Sequence, residues 1–158
     1  MNSVNFVNKN HCIGLSQWHF EWCPKYRYHS LKSLHVKNFL NFILHNIAEK
    51  YSMVIHSLAI EDDHVHIFVS LPVDISVSKA FQLLKGISSY RIFRQFPGFQ
   101  KRYSNRHFWS RGYFYKSVSN ITSKAIKNYI ENQDVKKLNE TIENIRNEPK
   151  QLSLFSFC

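Results

Sequence analysis

The residues best suited to chemistry are two histidines separated by one residue, His64 and His66. They open residues 64–71, whose β-branched and aromatic side chains between an acidic segment and Pro72 predict a β-strand. Side chains alternate across a strand, so both imidazoles point to one face and could form half of a metal site. Taken alone, the pair is more simply explained as two polar residues on a half-exposed strand.

A second pair lies far along the chain, where Tyr129 and Gln133 are four residues apart. On a helix these two side chains share one face. A tyrosine on an apolar stripe is usually a core residue. An apolar stripe that ends in an amide, however, indicates a polar partner for Gln133.

The two pairs make chemical sense together. Two imidazoles and one amide oxygen would leave coordination positions open, and this nitrogen and oxygen set suits Mg²⁺ or Mn²⁺. Such a cation would orient a phosphate and favour the phenolate of Tyr129, whose ordinary pKa is about 10. A phosphotyrosine keeps the phosphodiester energy, so a DNA hydroxyl can recover it. The pattern therefore predicts cutting and rejoining of a strand rather than its degradation.

The charge of the chain favours a polyanionic partner. Its 158 residues carry 21 Lys and Arg against 11 Asp and Glu, a formal charge of +10. Basic residues stand beside aromatic residues in several segments, a pattern that suits single-stranded nucleic acid. The basic residues predicted to contact DNA are Lys25, Arg27, Lys85, Arg91, Arg94, Arg102 and Arg111.

Other features concern the compartment of the protein. The three cysteines are an odd number without C-x-x-C spacing, which argues against a disulfide framework and against a structural zinc site. The apolar runs are too short to span a bilayer, and the N-terminus lacks a signal pattern. We therefore expect a cytoplasmic protein without a membrane partner.

The periodicity predicts a single domain over residues 1–158, with a core of about 15–134. Its elements are ordered β-α-β-β-α-β, which is the ferredoxin-like, RRM-like split βαβ pattern of the α+β class. We expect an antiparallel sheet with helices on one face, and an open second face carrying His64, His66 and Phe68. The predicted strands are 15–23, 53–60, 64–71, 107–110 and 113–118; the helices are 33–51, 76–95, one beginning near 120–122, and 135–147 before a tail at 148–158.

The chain resembles the single-tyrosine HUH transposases of small insertion sequences that move as single-stranded DNA. The resemblance covers roughly residues 15–134, and its motifs occur in order at family-like spacing. These motifs are Trp22-Cys23-Pro24-Lys25-Tyr26-Arg27, Asp63-His64-Val65-His66, Ser76-Val77-Ser78, Leu84-Lys85-Gly86-Ile87-Ser88-Ser89, Phe108-Trp109-Ser110, Gly112-Tyr113-Phe114 and Tyr129-Ile130-Glu131-Asn132-Gln133.

The resemblance implies a role for each motif residue. His64 and His66 match the paired histidines, Tyr129 matches the nucleophile, and Gln133 matches the third metal ligand. The family cleaves single-stranded DNA through a 5′-phosphotyrosine link, recognises hairpins near the ends of the element, and acts as a homodimer. In that dimer the tyrosine helix of one subunit can complete the histidine pair of the other. Asp63 is either a partner that orients a ligand or an ordinary turn residue.

The number of cuts in the reaction also favours a dimer, because excision needs two cuts and the chain offers one well-placed tyrosine.

Several alternatives remain open. One is a related single-tyrosine enzyme that acts on dispersed chromosomal hairpin repeats, and another is a plasmid relaxase or replication initiator. A third is a non-catalytic RRM-like domain that binds single strands. The last is a small metal-dependent nuclease with Tyr129 in its core.

Overall fold

A computed structural model describes residues 7–9, 12–14 and 16–118 of the chain. The predicted helices that begin near residue 120 and cover 135–147, and the tail after them, lie outside these residues. The elements in chain order are β1 (Val7–Lys9), β2 (Cys12–Gly14), β3 (Gln17–Trp22), α1 (Leu34–Lys50), β4 (Val54–Ile60), β5 (Val65–Ser70), α2 (Val77–Gln95), α3 (Phe99–Arg102) and β6 (Phe114–Ser117).

Four strands form one antiparallel sheet in the order β4-β5-β3-β6, while β1 and β2 form a separate hairpin. The central pair, β3 and β5, is in register from Gln17 opposite Ser70 to Trp22 opposite Val65. The short connection between β4 and β5 makes them a hairpin, as predicted. This strand order, with α1 and α2 as the crossovers, is the split βαβ arrangement expected from the sequence.

Both crossover helices cover the same face of the sheet. The apolar stripes of α1 and α2 pack with Phe20, Trp22 and Ile67 into one buried cluster. Helix α1 begins and ends within one residue of its predicted bounds, and α2 begins after Ser76, whose hydroxyl accepts a hydrogen bond from the backbone N–H of Lys79. The core therefore follows directly from the predicted periodicities.

Two expectations about the sheet are wrong. Residues 107–110 do not form a strand; Trp109 makes one isolated bridge to Pro24, and its ring packs against Trp22 and Phe108 instead. The second face is not open at its centre either, because Phe68 is buried with Ala59 and Val118.

Among the described residues, no helix combines the length and apolar character that crossing a bilayer requires.

Candidate active site and basic groove

The two histidines meet at one end of β5. His64 directly precedes the strand and His66 is its second residue, with Val65 buried in the core between them. Their rings are nearly perpendicular, at 86°, and their centroids are 4.7 Å apart. The alternation of the strand thus brings the two imidazoles together, as predicted.

Asp63 orients the first histidine. Nδ1 of His64 donates a hydrogen bond to Oδ1 of Asp63 over 2.6 Å, while Nε and Nη2 of Arg27 donate to Oδ2 over 3.2 Å and 3.1 Å. Partial burial opposes ionisation of Asp63, but His64 and Arg27 outweigh it and lower the pKa of the carboxyl. Because Nδ1 of His64 carries the proton, its lone pair for a ligand is on Nε2.

The turn that carries Arg27 has an unusual backbone. Tyr26 and Arg27 have φ values of 63° and 49°, in the left-handed region that side chains other than glycine rarely adopt. Backbone hydrogen bonds from Lys25 to Phe108 and from Arg27 to Pro24 hold this turn in place. A conformation of this kind costs on the order of 1 kcal/mol or more and often marks a functional site. Here it places the Arg27 guanidinium against Asp63.

His66 lies in a more buried polar cluster. Its Nδ1 is 3.2 Å from Nε2 of His19 and 3.7 Å from Oε2 of Glu21, both on the neighbouring strand β3. Burial lowers the pKa of His66 well below its ordinary value, and the nearby His19 and His64 act in the same direction. Burial also raises the pKa of Glu21, although His64 and Arg27 partly offset that effect. His66 is therefore neutral near pH 7, the state in which an imidazole binds a metal.

This cluster predicts a pH dependence of stability. Burial, reinforced by Lys116, lowers the pKa of His19 from 6.5 to about 4. Below pH 6.5, His19 binds a proton in the unfolded chain, but in the folded chain it does so only near pH 4. The free energy of unfolding therefore falls as the pH decreases through that window. The contribution of His19 has an upper bound of about 3 kcal/mol, reduced by solvent screening because the ring is partly exposed.

The measurement is urea unfolding in EDTA at several values between pH 7 and pH 4. His19→Gln should lose less stability than the wild type over this window. The same loss in both proteins would contradict the assignment to His19. His66 remains in both proteins, so its own contribution appears in each curve.

The donor chemistry of the pair fits a divalent cation. The two imidazoles can supply two nitrogen ligands, and the bond from His64 to Asp63 is the support that metal-binding histidines usually have. Within residues 7–9, 12–14 and 16–118, no group of three or more His, Cys, Asp or Glu side chains is arranged to hold a metal. The predicted nucleophile Tyr129 and third ligand Gln133 lie outside the described residues.

A basic groove of about 1000 Å³ runs between α2 and residues 105–113. Every charged residue in its described lining is basic, and aromatic rings lie between the cations. The cations suit a nucleic-acid backbone, and the exposed ring of Tyr90 suits an unstacked base. The cations are Lys25, Lys85, Arg94, Arg106 and Arg111, and the aromatic residues include Phe81, Tyr90, Phe93, Phe108, Trp109 and Tyr113.

The small residues of α2 serve two different purposes. Gly86 and Ser89 line the groove, and a methyl group added at Gly86 would meet no atom within 4 Å. Ser88 is fully buried, and its hydroxyl accepts a hydrogen bond of 2.9 Å from the indole of Trp109. The helix therefore leaves room for a ligand at Gly86 and anchors the opposite wall at Ser88.

The structure brings four of the seven predicted DNA-binding residues into this groove: Lys25, Lys85, Arg94 and Arg111. The ammonium of Lys85 also donates to the backbone oxygen of Gly112 over 2.9 Å, so it helps to hold the wall. The other three lie elsewhere. Arg27 is bound to Asp63, Arg102 packs over the ring of Tyr28, and Arg91 is an exposed residue of α2.

Several site residues were absent from the sequence prediction. His19 and Glu21 alternate on the polar side of the first strand, which was the available signal, but only the register places Glu21 opposite His66. Arg106 lies in one of the segments where basic residues stand beside aromatic residues. Its place in the groove depends on a turn at Asn105 and Arg106, where φ is again positive, at 64° and 54°.

Comparison with known proteins places the chain in a family. The family model described as "Transposase IS200 like" matches residues 12–133. The transposase for insertion sequence element IS200 of Salmonella typhimurium is 32% identical over 117 residues, which are 74% of this chain and 76% of the relative. The ISDra2 transposase TnpA of Deinococcus radiodurans is 30% identical over 117 residues, covering 74% and 83%.

Solved structures agree with the fold. A crystal structure of a Deinococcus radiodurans protein described as a transposase superposes with a TM-score of 0.66 at 28% identity, covering 80% of this chain and 96% of that one. A REP-associated tyrosine transposase bound to a REP hairpin superposes with a TM-score of 0.59 at 16% identity, covering 82% and 73%. At that identity the second likeness shows the fold alone.

Proposed function

The chain belongs to the IS200-like transposase family and is a DNA transposase, and we propose that it cuts and rejoins single-stranded DNA through a covalent tyrosine intermediate. The observation that carries this proposal is the contact between the His64 and His66 rings, 4.7 Å apart, beside Asp63. Two imidazoles that meet beside a carboxylate are the kind of ligand pair that a catalytic metal site requires.

In the proposed reaction, the oxygen of Tyr129 attacks a DNA phosphorus as its proton is lost. The bond from that phosphorus to the 3′ oxygen breaks, and the 3′ oxygen takes up a proton to leave as a hydroxyl. The protein then carries the 5′-phosphate as a tyrosine ester. Reversal with a different 3′-hydroxyl rejoins DNA without another energy source, because one phosphodiester replaces another.

A divalent cation, Mg²⁺ or Mn²⁺, completes the proposed site. His64, His66 and Gln133 would hold it, and it would supply Lewis-acid stabilisation of the charge that develops on the phosphate. The residues described here prepare the pair for this role. Asp63 keeps Nε2 of His64 available, and burial keeps His66 neutral.

We also propose that the DNA substrate is a hairpin near an end of the element. A protein of the same fold is bound to a REP hairpin, so the fold can present a surface for such a ligand. In this chain the basic groove is the surface that suits a DNA backbone. Lys25 in the groove is two residues from Arg27, which contacts Asp63 beside the histidines. A homodimer is our proposal as well, since two cuts require two tyrosines.

The function is tested with labelled single-stranded DNA from the ends of the element. Incubation with Mg²⁺ followed by denaturation should leave a labelled band with the combined mass of protein and DNA. EDTA should remove that band. Cleavage that releases both strand ends, with no covalent band at any time, would favour a simple nuclease.

The groove predicts a specific salt dependence. Replacing Arg94 or Arg111 by glutamine should weaken binding of different DNA sequences alike, because the groove contacts phosphates rather than base edges. Each replacement should reduce the slope of log K against log salt by about 0.7 to 0.9. Fluorescence anisotropy with a labelled hairpin at several salt concentrations measures this slope.

Arg91→Gln is the matched comparison, because Arg91 is on the same helix as Arg94 but does not line the groove. If binding is confined to the groove, its slope stays close to that of the wild type. An equal reduction for Arg91 and Arg94 would mean that general surface charge, rather than the groove, binds the DNA.

A further inference from the structure

The contact between His19 and His66 has no part in the reaction proposed above, yet its geometry is that of a directed hydrogen bond. Nε2 of His19 is 3.2 Å from Nδ1 of His66, and the ring planes are within 10° of parallel, with centroids 5.4 Å apart. That separation is close to the nitrogen–nitrogen distance plus the two ring radii. The rings therefore meet edge to edge in nearly one plane, which is how an N–H and a ring lone pair align.

The surroundings indicate which ring is the donor. Oε2 of Glu21 is 3.7 Å from Nδ1 of His66, and a carboxylate oxygen at that distance favours a proton on this nitrogen. A histidine that binds a cation through Nε2 has its proton on Nδ1. At the proposed metal site, Nδ1 of His66 therefore donates and Nε2 of His19 accepts.

We propose that His19 is a positioning residue, which accepts a hydrogen bond from Nδ1 of His66 and so presents Nε2 of His66 to a divalent cation. This inference rests on the metal site proposed above. It gives the two ligands the same kind of support. Asp63 accepts from Nδ1 of His64 over 2.6 Å, and His19 accepts from Nδ1 of His66 over 3.2 Å. Partners of this kind set the tautomer and the ring orientation of a metal-binding histidine.

Glu21 is the other residue that could hold His66, and the distances distinguish the two. The separation of 3.2 Å to His19 is within the range of a hydrogen bond, while 3.7 Å to Glu21 is beyond it. Glu21 therefore acts through its charge and His19 through a bond. Glu21→Gln removes the charge and keeps the polar group, so its effect on metal binding should be smaller than that of removing the acceptor at His19.

The first test measures Mn²⁺ affinity by isothermal titration calorimetry without DNA. His19→Phe keeps a ring but removes the acceptor, whereas His19→Gln carries an amide oxygen close to the position of Nε2. We expect His19→Phe to bind Mn²⁺ about tenfold more weakly than the wild type, and His19→Gln to stay within about threefold of it. Equal affinity of the wild type and His19→Phe would overturn the proposal.

The second test needs neither metal nor activity. Ring ¹⁵N NMR of the metal-free wild type should show the proton of His66 on Nδ1. The same tautomer should persist in His19→Gln and give way to the Nε2-protonated form in His19→Phe. A wild-type His66 protonated on Nε2 overturns the role of His19, even if His19→Phe fails to fold. If the wild type binds no Mn²⁺, the proposed metal site fails, while the tautomer still decides the role of His19.

Discussion

Replacing Tyr129 by phenylalanine should abolish the covalent protein–DNA band and lower strand cleavage by more than about 10³-fold. Only the phenolic oxygen is lost, and that oxygen forms the proposed bond to phosphorus. Without it the reaction has no nucleophile on the protein, and water has no comparable position. Denaturing gel electrophoresis with labelled single-stranded DNA measures both the band and the cleavage.

The loss should be specific to chemistry. Hairpin binding by Tyr129→Phe should remain within about twofold of the wild type, because phosphate and base contacts are made by other residues. Tyr115→Phe is a matched control, since Tyr115 is a half-exposed residue of β6 that does not line the groove. Its cleavage should be unchanged. Cleavage that persists in Tyr129→Phe would instead identify a nuclease that uses water.

Replacing His64 by alanine should lower cleavage by about 10³-fold, since the stabilisation expected from a catalytic metal is several kcal/mol. The change removes one nitrogen ligand and the hydrogen bond from His64 to Asp63. The hydrogen bond from Arg27 to Asp63 remains. Mn²⁺ affinity should fall together with cleavage. Calorimetry with Mn²⁺ and the gel assay, on the same preparation, measure the two effects.

DNA binding separates a lost metal site from a damaged fold. His64 is at the end of a strand and is not part of the buried core, so the fold and the basic groove should survive its loss. His45→Ala is the matched control, because His45 is on the exposed side of α1. This change should alter neither cleavage nor hairpin binding. A fall in hairpin affinity as large as the fall in cleavage would show that His64 binds the DNA rather than a catalytic metal.

The fold was predictable because its main signals are local. The apolar spacing of 34–50 and 77–95 is that of helices with one buried side, and the alternation of 17–22 is that of a strand with one buried face. The strand predicted over residues 107–110 is an exception, because these residues do not form a strand. Its aromatic residues have the composition of a strand, but Phe108 and Trp109 are buried by packing against rings from other parts of the chain. Tertiary packing outweighed β-propensity there.

The exposure of the sheet was not predictable from alternation. Alternation separates two faces, but it does not reveal whether the polar face is covered. Phe68 shares that face with His66 and is buried. Phe68 packs with Ala59, which is in β4, and with Val118, which follows β6. The second face is therefore a small core with the histidines at one end.

The strand and helix periods, the paired imidazoles of His64 and His66, and the excess of positive charge could be predicted, because each depends on residue type and short spacing. Which distant residues meet depends on the tertiary fold. Register sets Glu21 opposite His66, a left-handed turn brings Arg27 to Asp63, and the packing of residues 105–113 against α2 gathers the cations. Such contacts depend on how separate elements dock, and no local pattern encodes that docking.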